Sequence, residues 1–192
     1  MTKFETICRE AARLFAQNGV DAVSMRDVAD ACGITAAALY YHFASKEELY
    51  EEAGRLQFEL FMQDLRSARA ALPDAAQTPS QVVGIVFDVV LRDPTLFLLT
   101  QRELHGGDRN ERQAQAGERF AEAHTYLRET LTRYQQRDAD PHDVFALACI
   151  VTGYCEYVHA DPRSYSEQRE AFIGEQRDGL MRVVQRAFEA KR

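Results

Sequence analysis

No apolar run in this sequence approaches the roughly 18 residues that a membrane-spanning helix needs, and Met1 leads straight into a polar, charged segment. Neither a spanning helix nor a signal peptide is expected, and a cytoplasmic protein is. The four cysteines, Cys8, Cys32, Cys149 and Cys155, form no C-x-x-C pair and sit in apolar patterns. They read as reduced packing residues rather than a disulfide framework. Cys149 and Cys155 fall on different faces of one helix, so a bridge between them is not expected; a thiol sensor stays open. His105, His124, His142 and His159 lack metal-ligand spacing. The chain has no Gly-rich phosphate loop, no G-x-S-x-G and no H-E-x-x-H. Nothing positive supports an enzyme, a metal or a cofactor.

What is present is globular. Apolar residues make up 46% and charged residues 28% of the 192, enough to bury about 70% of the unfolded surface. The formal net charge is −7, but it is unevenly placed. Residues 1–46 balance Lys3, Arg9, Arg13, Arg26 and Lys46 against Glu5, Glu10, Asp21, Asp27 and Asp30, so the remainder holds the whole deficit. A neutral head on an acidic body implies two functional regions.

The hydrophobic period is helical throughout, without a convincing alternating stretch, internal repeat or low-complexity tail. Phe4, Ile7, Ala11, Leu14 and Phe15 share one face of a first helix, with Thr2 and Glu5 as its capping box and Asn18-Gly19 as its stop. Ser24 with Asp27 starts a second helix that stops at Gly33, and a third runs from Thr35 to about Phe43. Ser45 with Glu48 caps a fourth of about 25 residues. After a linker at 72–80, helices are expected near 80–91, 95–104, 110–136, 141–159 and 166–189. The 141–159 helix is apolar around most of its circumference and must be covered on more than one side. The fold class is therefore all-α, about nine helices. The organisation divides into a head, residues 1–47, and a helical bundle, residues 48–192.

The informative stretch is S-M-R-D-V-A-D-A-C-G-I-T-A-A-A-L-Y-Y-H-F-A-S-K, residues 24–46. Two short helices joined by a tight Gly-containing turn describe a helix-turn-helix. Ala29 is small enough for the two axes to cross closely. Gly33 supplies the positive φ of the turn, and Leu39 plugs the space between the helices. Such a unit lays its second helix in the DNA major groove. Tyr40 and Tyr41 are consecutive, so at least one of them must be exposed.

The run G-I-T-A-A-A-L-Y-Y-H-F-A-S-K-E-E-L, Gly33 to Leu49, closely resembles the tetracycline-repressor (TetR) family of bacterial regulators, and the resemblance extends over residues 4–50. It implies a three-helix DNA-binding head on an all-α ligand-binding body, dimerisation through the last two helices, and release of DNA by a small molecule. Carried over by position, Thr35 caps the recognition helix and reaches a phosphate. Ala36, Ala37 and Ala38 meet base edges. Tyr40 and His42 match phosphate- and base-contacting positions, and Lys46 lies against the DNA backbone. Ser24 and Tyr41 complete the expected DNA-binding set. A hydroxyl and an ammonium both complement phosphate. Two departures stand out. The family often carries a polar residue or glycine where the three alanines sit, and alanine offers only contact with thymine methyls. The basic N-terminal arm is also missing. Readout is expected to lean on Thr35, Tyr40, Tyr41 and DNA shape, with affinity depending on dimerisation.

For the body, Phe58, Met62, Phe87, Phe97, Arg102, His105, Phe120, Tyr126 and Tyr154 are the ligand-binding candidates. Phe145, Cys149, Phe172, Leu180, Val184 and Phe188 are the candidates for a dimer interface across a two-fold axis. Two recognition helices about 34 Å apart would then read a palindromic operator in double-stranded DNA. The reading is a ligand-released repressor acting as a homodimer. The alternative, favoured by the triple alanine and the acidic balance, is an all-α ligand-binding or adaptor protein that has lost sequence-specific DNA binding.

Overall fold

The computed structural model describes residues 2–73, 77–105 and 111–189. Among these residues the chain has no strand and nine α-helices. They are α1 (Lys3–Asn18), α2 (Met25–Ala31), α3 (Ala36–His42), α4 (Lys46–Ala70), α5 (Pro79–Arg92), α6 (Thr95–His105), α7 (Glu111–Gln135), α8 (Pro141–Ala160) and α9 (Arg169–Val184). No helix of the described residues is long and apolar enough to cross a membrane.

The expected caps are in place. Thr2 Oγ1 accepts from the Glu5 amide at 3.2 Å, and the Glu5 carboxylate accepts from the Thr2 amide at 2.8 Å. Ser24 and Asp27 repeat the arrangement at α2, and their hydrogen bonds hold the Asp27 carboxyl below its ordinary range. At α4, Ser45 Oγ accepts from the Glu48 amide at 3.1 Å, while the Glu48 carboxylate reaches back to the Ala44 amide at 2.6 Å. Gly19, at φ 85° and ψ 153°, ends α1 in a backbone conformation open essentially only to glycine.

The chain forms two compact units, Met1–Gln63 with Asp93–Glu118, and Asp64–Arg92 with Arg119–Arg192. The first contains α1, α2, α3 and α6 and is built on Ile7, Phe15, Val28, Leu39, Phe43 and Leu49, all essentially inaccessible to water. α6 comes from the middle of the chain and packs against α1. In the second unit, α5, α8 and α9 pack against one another. Ten of the fourteen residues of α5 are buried, in keeping with its largely apolar sequence. A Cβ at Gly84 of α5 would stand 3.2 Å from Arg177 Nη2 and 3.3 Å from Met181 Sδ of α9, so glycine permits this close approach. One turn on, Arg177 Nε donates to both carboxylate oxygens of Asp88, at 2.8 and 2.9 Å.

The last helix departs from the sequence expectation at both ends. Pro162 opens a separate 3₁₀ turn, Pro162–Tyr165, capped by the Asp161 carboxylate on the Arg163 amide, and Ser166 closes it, so α9 begins at Arg169. At the other end the α register gives way to a π-helical turn, Gln185–Glu189, and the Glu189 carboxylate accepts from the Ser80 amide at 2.7 Å, at the start of α5.

Candidate nucleic-acid interface

The helix-turn-helix is built as a small rigid corner. α2 ends as the Cys32 amide donates to Val28 O and the Gly33 amide to Asp30 O. Gly33 then turns the chain at φ 63°. The Ile34 amide returns to Ala29 O at 3.0 Å, and Thr35 Oγ1 accepts from the Ala38 amide at 3.1 Å to start α3. Ala29 and Leu39 are buried at the crossing. Phe43 ends α3 and stacks on Phe4 of α1 with ring centres 5.2 Å apart. With Leu39 and Phe43 pinned inside, the opposite face of α3 can only point outward.

That face carries the expected residues. Ser24, Thr35, Ala36 and Ala37 are exposed, and Ala38 and His42 are half-buried. Tyr40 is 54% and Tyr41 87% exposed, so both tyrosines face solvent. Tyr41 meets His42 edge-on, with ring centres 5.5 Å apart. Lys46, the first residue of α4, is half-buried, and its Nζ donates to Val20 O at 3.0 Å. That bond ties the start of α4 to the loop after α1 and leaves the ammonium two further N–H groups. Arg26, absent from the expected set, stands close to Ser24 on the first turn of α2, largely exposed and held, among the described residues, by a 3.8 Å pair with Asp30. Its sequence signal was a cation next to a helix cap.

Two residues of α6 grip the same unit. Arg102, a ligand-binding candidate from the sequence, turns its guanidinium to the C-terminal end of α1. Nε donates to Ala16 O and Nη2 to Gln17 O, both at 2.8 Å. Next to it, the Tyr50 hydroxyl donates to the buried Glu103 carboxylate at 2.7 Å. Sequence reasoning missed Glu103 and Tyr50 as a pair, because residues 53 apart carry no local signal.

Of the other ligand candidates, Phe58, Met62, Phe87 and Tyr126 are buried, and Phe97 and Tyr154 are half-buried. The side chains of His105 and Phe120 lie outside the described residues. Among the interface candidates, Phe172, Leu180 and Val184 are already buried within the chain, and Phe188 is half-buried in the π turn. Phe145, at 61%, and Cys149 are exposed on α8.

A corner of two short helices on a third, with a solvent-facing second helix, is the architecture of helix-turn-helix DNA-binding proteins. Residues 7–53 match the family model for bacterial regulatory proteins of the tetR family. The HTH-type transcriptional repressor KstR2 of Rhodococcus jostii (strain RHA1) is 31% identical over 126 residues, covering 66% of this chain and 56% of the relative. The structure of AibR, in complex with isovaleryl coenzyme A and operator DNA, is similar over 97% of this chain and 98% of the other, with a TM-score of 0.69 and 20% identity. A transcriptional regulator from Saccharomonospora viridis, in complex with choline, is similar over 96% of each chain, with a TM-score of 0.73 and 18% identity. The family likeness in sequence thus lies in the first quarter of the chain, residues 7–53, and the chain spans about half the length of the curated relative it matches.

Proposed function

We propose that this protein is a ligand-responsive transcriptional repressor that binds a palindromic operator as a homodimer and is released from it by a small molecule. The observation that carries the reading is the outward face of α3. Ala36, Ala37, Tyr40 and Tyr41 are presented to solvent while Leu39 and Phe43 anchor the helix from behind. An α-helix with its side chains is about 10–12 Å across, which fits a major groove roughly 12 Å wide. The alanines let the helix backbone approach the base edges closely. Thr35, Tyr40 and Tyr41 supply the hydrogen-bonding groups, and Arg26 and Lys46 flank them as phosphate partners.

Residues 1–47 meet the DNA in this reading, and residues 48–192 hold the effector and the second copy. The dimer face is centred on α8, where Phe145, Cys149, Gly153 and Tyr157 lie exposed opposite the buried Val144, Leu147, Val151, Cys155 and Val158. In this reading a two-fold partner covers these α8 residues and the exposed Val183 of α9. An effector that displaces α6 acts on α1 through Arg102, and its leverage is its difference in affinity for the two shapes.

The test is a footprint of the purified protein on the intergenic DNA flanking its own gene, at low and physiological salt, because phosphate-dominated binding weakens steeply as salt rises. A protected palindrome at physiological salt is expected. Protection only at low salt and without register would overturn sequence-specific repression and leave the adaptor reading, to which the three alanines already lend weight.

A further inference from the structure

The two structural neighbours carry chemically opposite ligands, an anionic coenzyme thioester in one and the cation choline in the other, so the fold does not choose the effector's charge. The second unit does. Arg69, near the end of α4, and Arg133, near the end of α7, converge on one neutral oxygen. Arg69 Nε and Arg133 Nη1 each donate to the side-chain Oε1 of Gln77, both at 3.3 Å. These contacts are longer than the usual range of about 2.7–3.2 Å for an N–H···O bond. Neither guanidinium forms an ion pair among the described residues, whereas Arg66, one turn before Arg69, is neutralised by Glu122 at 2.9 Å. Arg69 Nη2 is buried and meets no well-placed acceptor among the described residues, although the guanidinium also interacts with the Tyr126 hydroxyl. The Arg69 guanidinium lies 5.3 Å from the centre of the Tyr126 ring, which walls one side.

Two permanent cations converge on a single amide oxygen, Arg69 half-buried with an ill-satisfied donor and Arg133 exposed at the mouth, which leaves hydrogen-bonding capacity of one sign turned to one point. An oxyanion in place of the Gln77 oxygen would accept from both forks, satisfy the ill-satisfied Nη2 and cancel the repulsion. We infer that Arg69 and Arg133 form an anion-binding subsite for the effector, recognising a phosphate or carboxylate group, with the Gln77 amide oxygen as its stand-in in the unliganded protein. The inference rests on the regulator reading for calling the ligand an effector.

The experiment is isothermal titration of the full chain, without DNA and at low ionic strength. Coenzyme A and pyrophosphate serve as phosphate probes and octanoate as the carboxylate probe. Saturable binding of either class is expected, weakened at least tenfold by R69Q and by R133Q and left within twofold by R128Q, an exposed arginine elsewhere on α7. Q77A removes the internal competitor and is expected to tighten binding several-fold. Thermal unfolding of the unliganded variants supplies a second readout. Because Arg69 carries an ill-satisfied buried donor, R69M is expected to leave stability unchanged or raise it. No saturable binding by any probe, equal binding by wild type, R69Q and R133Q, or a marked loss of stability in unliganded R69M would each overturn the subsite. A protected palindrome with no anion binding sinks this inference alone; anion binding with no protected DNA sinks the regulator reading alone.

Discussion

Arg102 offers the most direct test of how the head is held. Arg102→Met keeps most of the aliphatic stem and removes both donors from the C-terminal end of α1. The bond to Ala16 O is half-buried and the bond to Gln17 O is exposed. A hydrogen bond from a charged donor contributes about 1.5–3 kcal/mol when water cannot replace it, and an exposed charged contact contributes only a few tenths. The half-buried bond therefore dominates, and the substitution should cost about 1.5–2 kcal/mol. At roughly 2–4 °C per kcal/mol for a chain of this size, the melting temperature should fall by about 4–6 °C. Hydrogen exchange localises the effect: the amide of Gly19, which donates to Phe15 O at 2.9 Å, should lose protection while the amides of α8 keep theirs. A cost below about 0.5 kcal/mol with unchanged exchange at Gly19 would refute the reasoning, since water would then cap α1 as well as Arg102 does.

Four further expectations follow from the same geometry. Gly19→Ala should destabilise by about 1–3 kcal/mol in chemical unfolding, because its conformation is nearly exclusive to glycine, whereas Gly33→Ala, in open space at φ 63°, should cost only about 1 kcal/mol. Tyr41→Ala and Tyr40→Ala should weaken operator binding about tenfold or more in a gel-shift titration with melting temperatures unmoved, and a stability loss matching the affinity loss would assign the rings to packing instead. Burial pushes the Cys8 and Cys155 thiols up to about 12, so at pH 8 neither should be labelled by a thiol reagent in the native state, the half-buried Cys32 should react slowly, and Cys149, exposed on the single chain, should react only once dilution dissociates the proposed dimer; fast labelling of Cys155 would mean α8 opens readily. The folded pKa of Asp27 lies below its ordinary 3.8 because Ser24 hydrogen-bonds the carboxylate. The stabilisation is therefore present above pH 3.8 and lost as pH falls through the lower folded value, so Asp27→Asn should lower stability modestly at neutral pH, flatten the acid limb of the unfolding profile, and leave stability below the folded pKa little changed.

The head was legible in the sequence because its determinants are local. A capping box needs residues three apart, the turn needs one glycine at positive φ, and the outward face of α3 follows from Leu39 and Phe43 facing inward. Helix order came from apolar period and from Pro, Gly and cap signals that act within a few residues. Tertiary structure decided what depends on residues distant in the chain. The sequence placed Arg102 among ligand contacts, but its geometry assigns the guanidinium to carbonyls 85 and 86 residues earlier. Phe172, Leu180 and Val184 read equally well as core or interface, since an apolar side chain does not encode whether its own chain or another covers it; α5 and α8 settle their burial within the second unit, leaving Phe145 and Cys149 outside. Arg69, Arg133 and Gln77 carry no common pattern at all. Their meeting on one oxygen follows only from how α4, α7 and the intervening segment pack, because side-chain proximity across helices is set by burial and crossing geometry rather than by spacing along the chain.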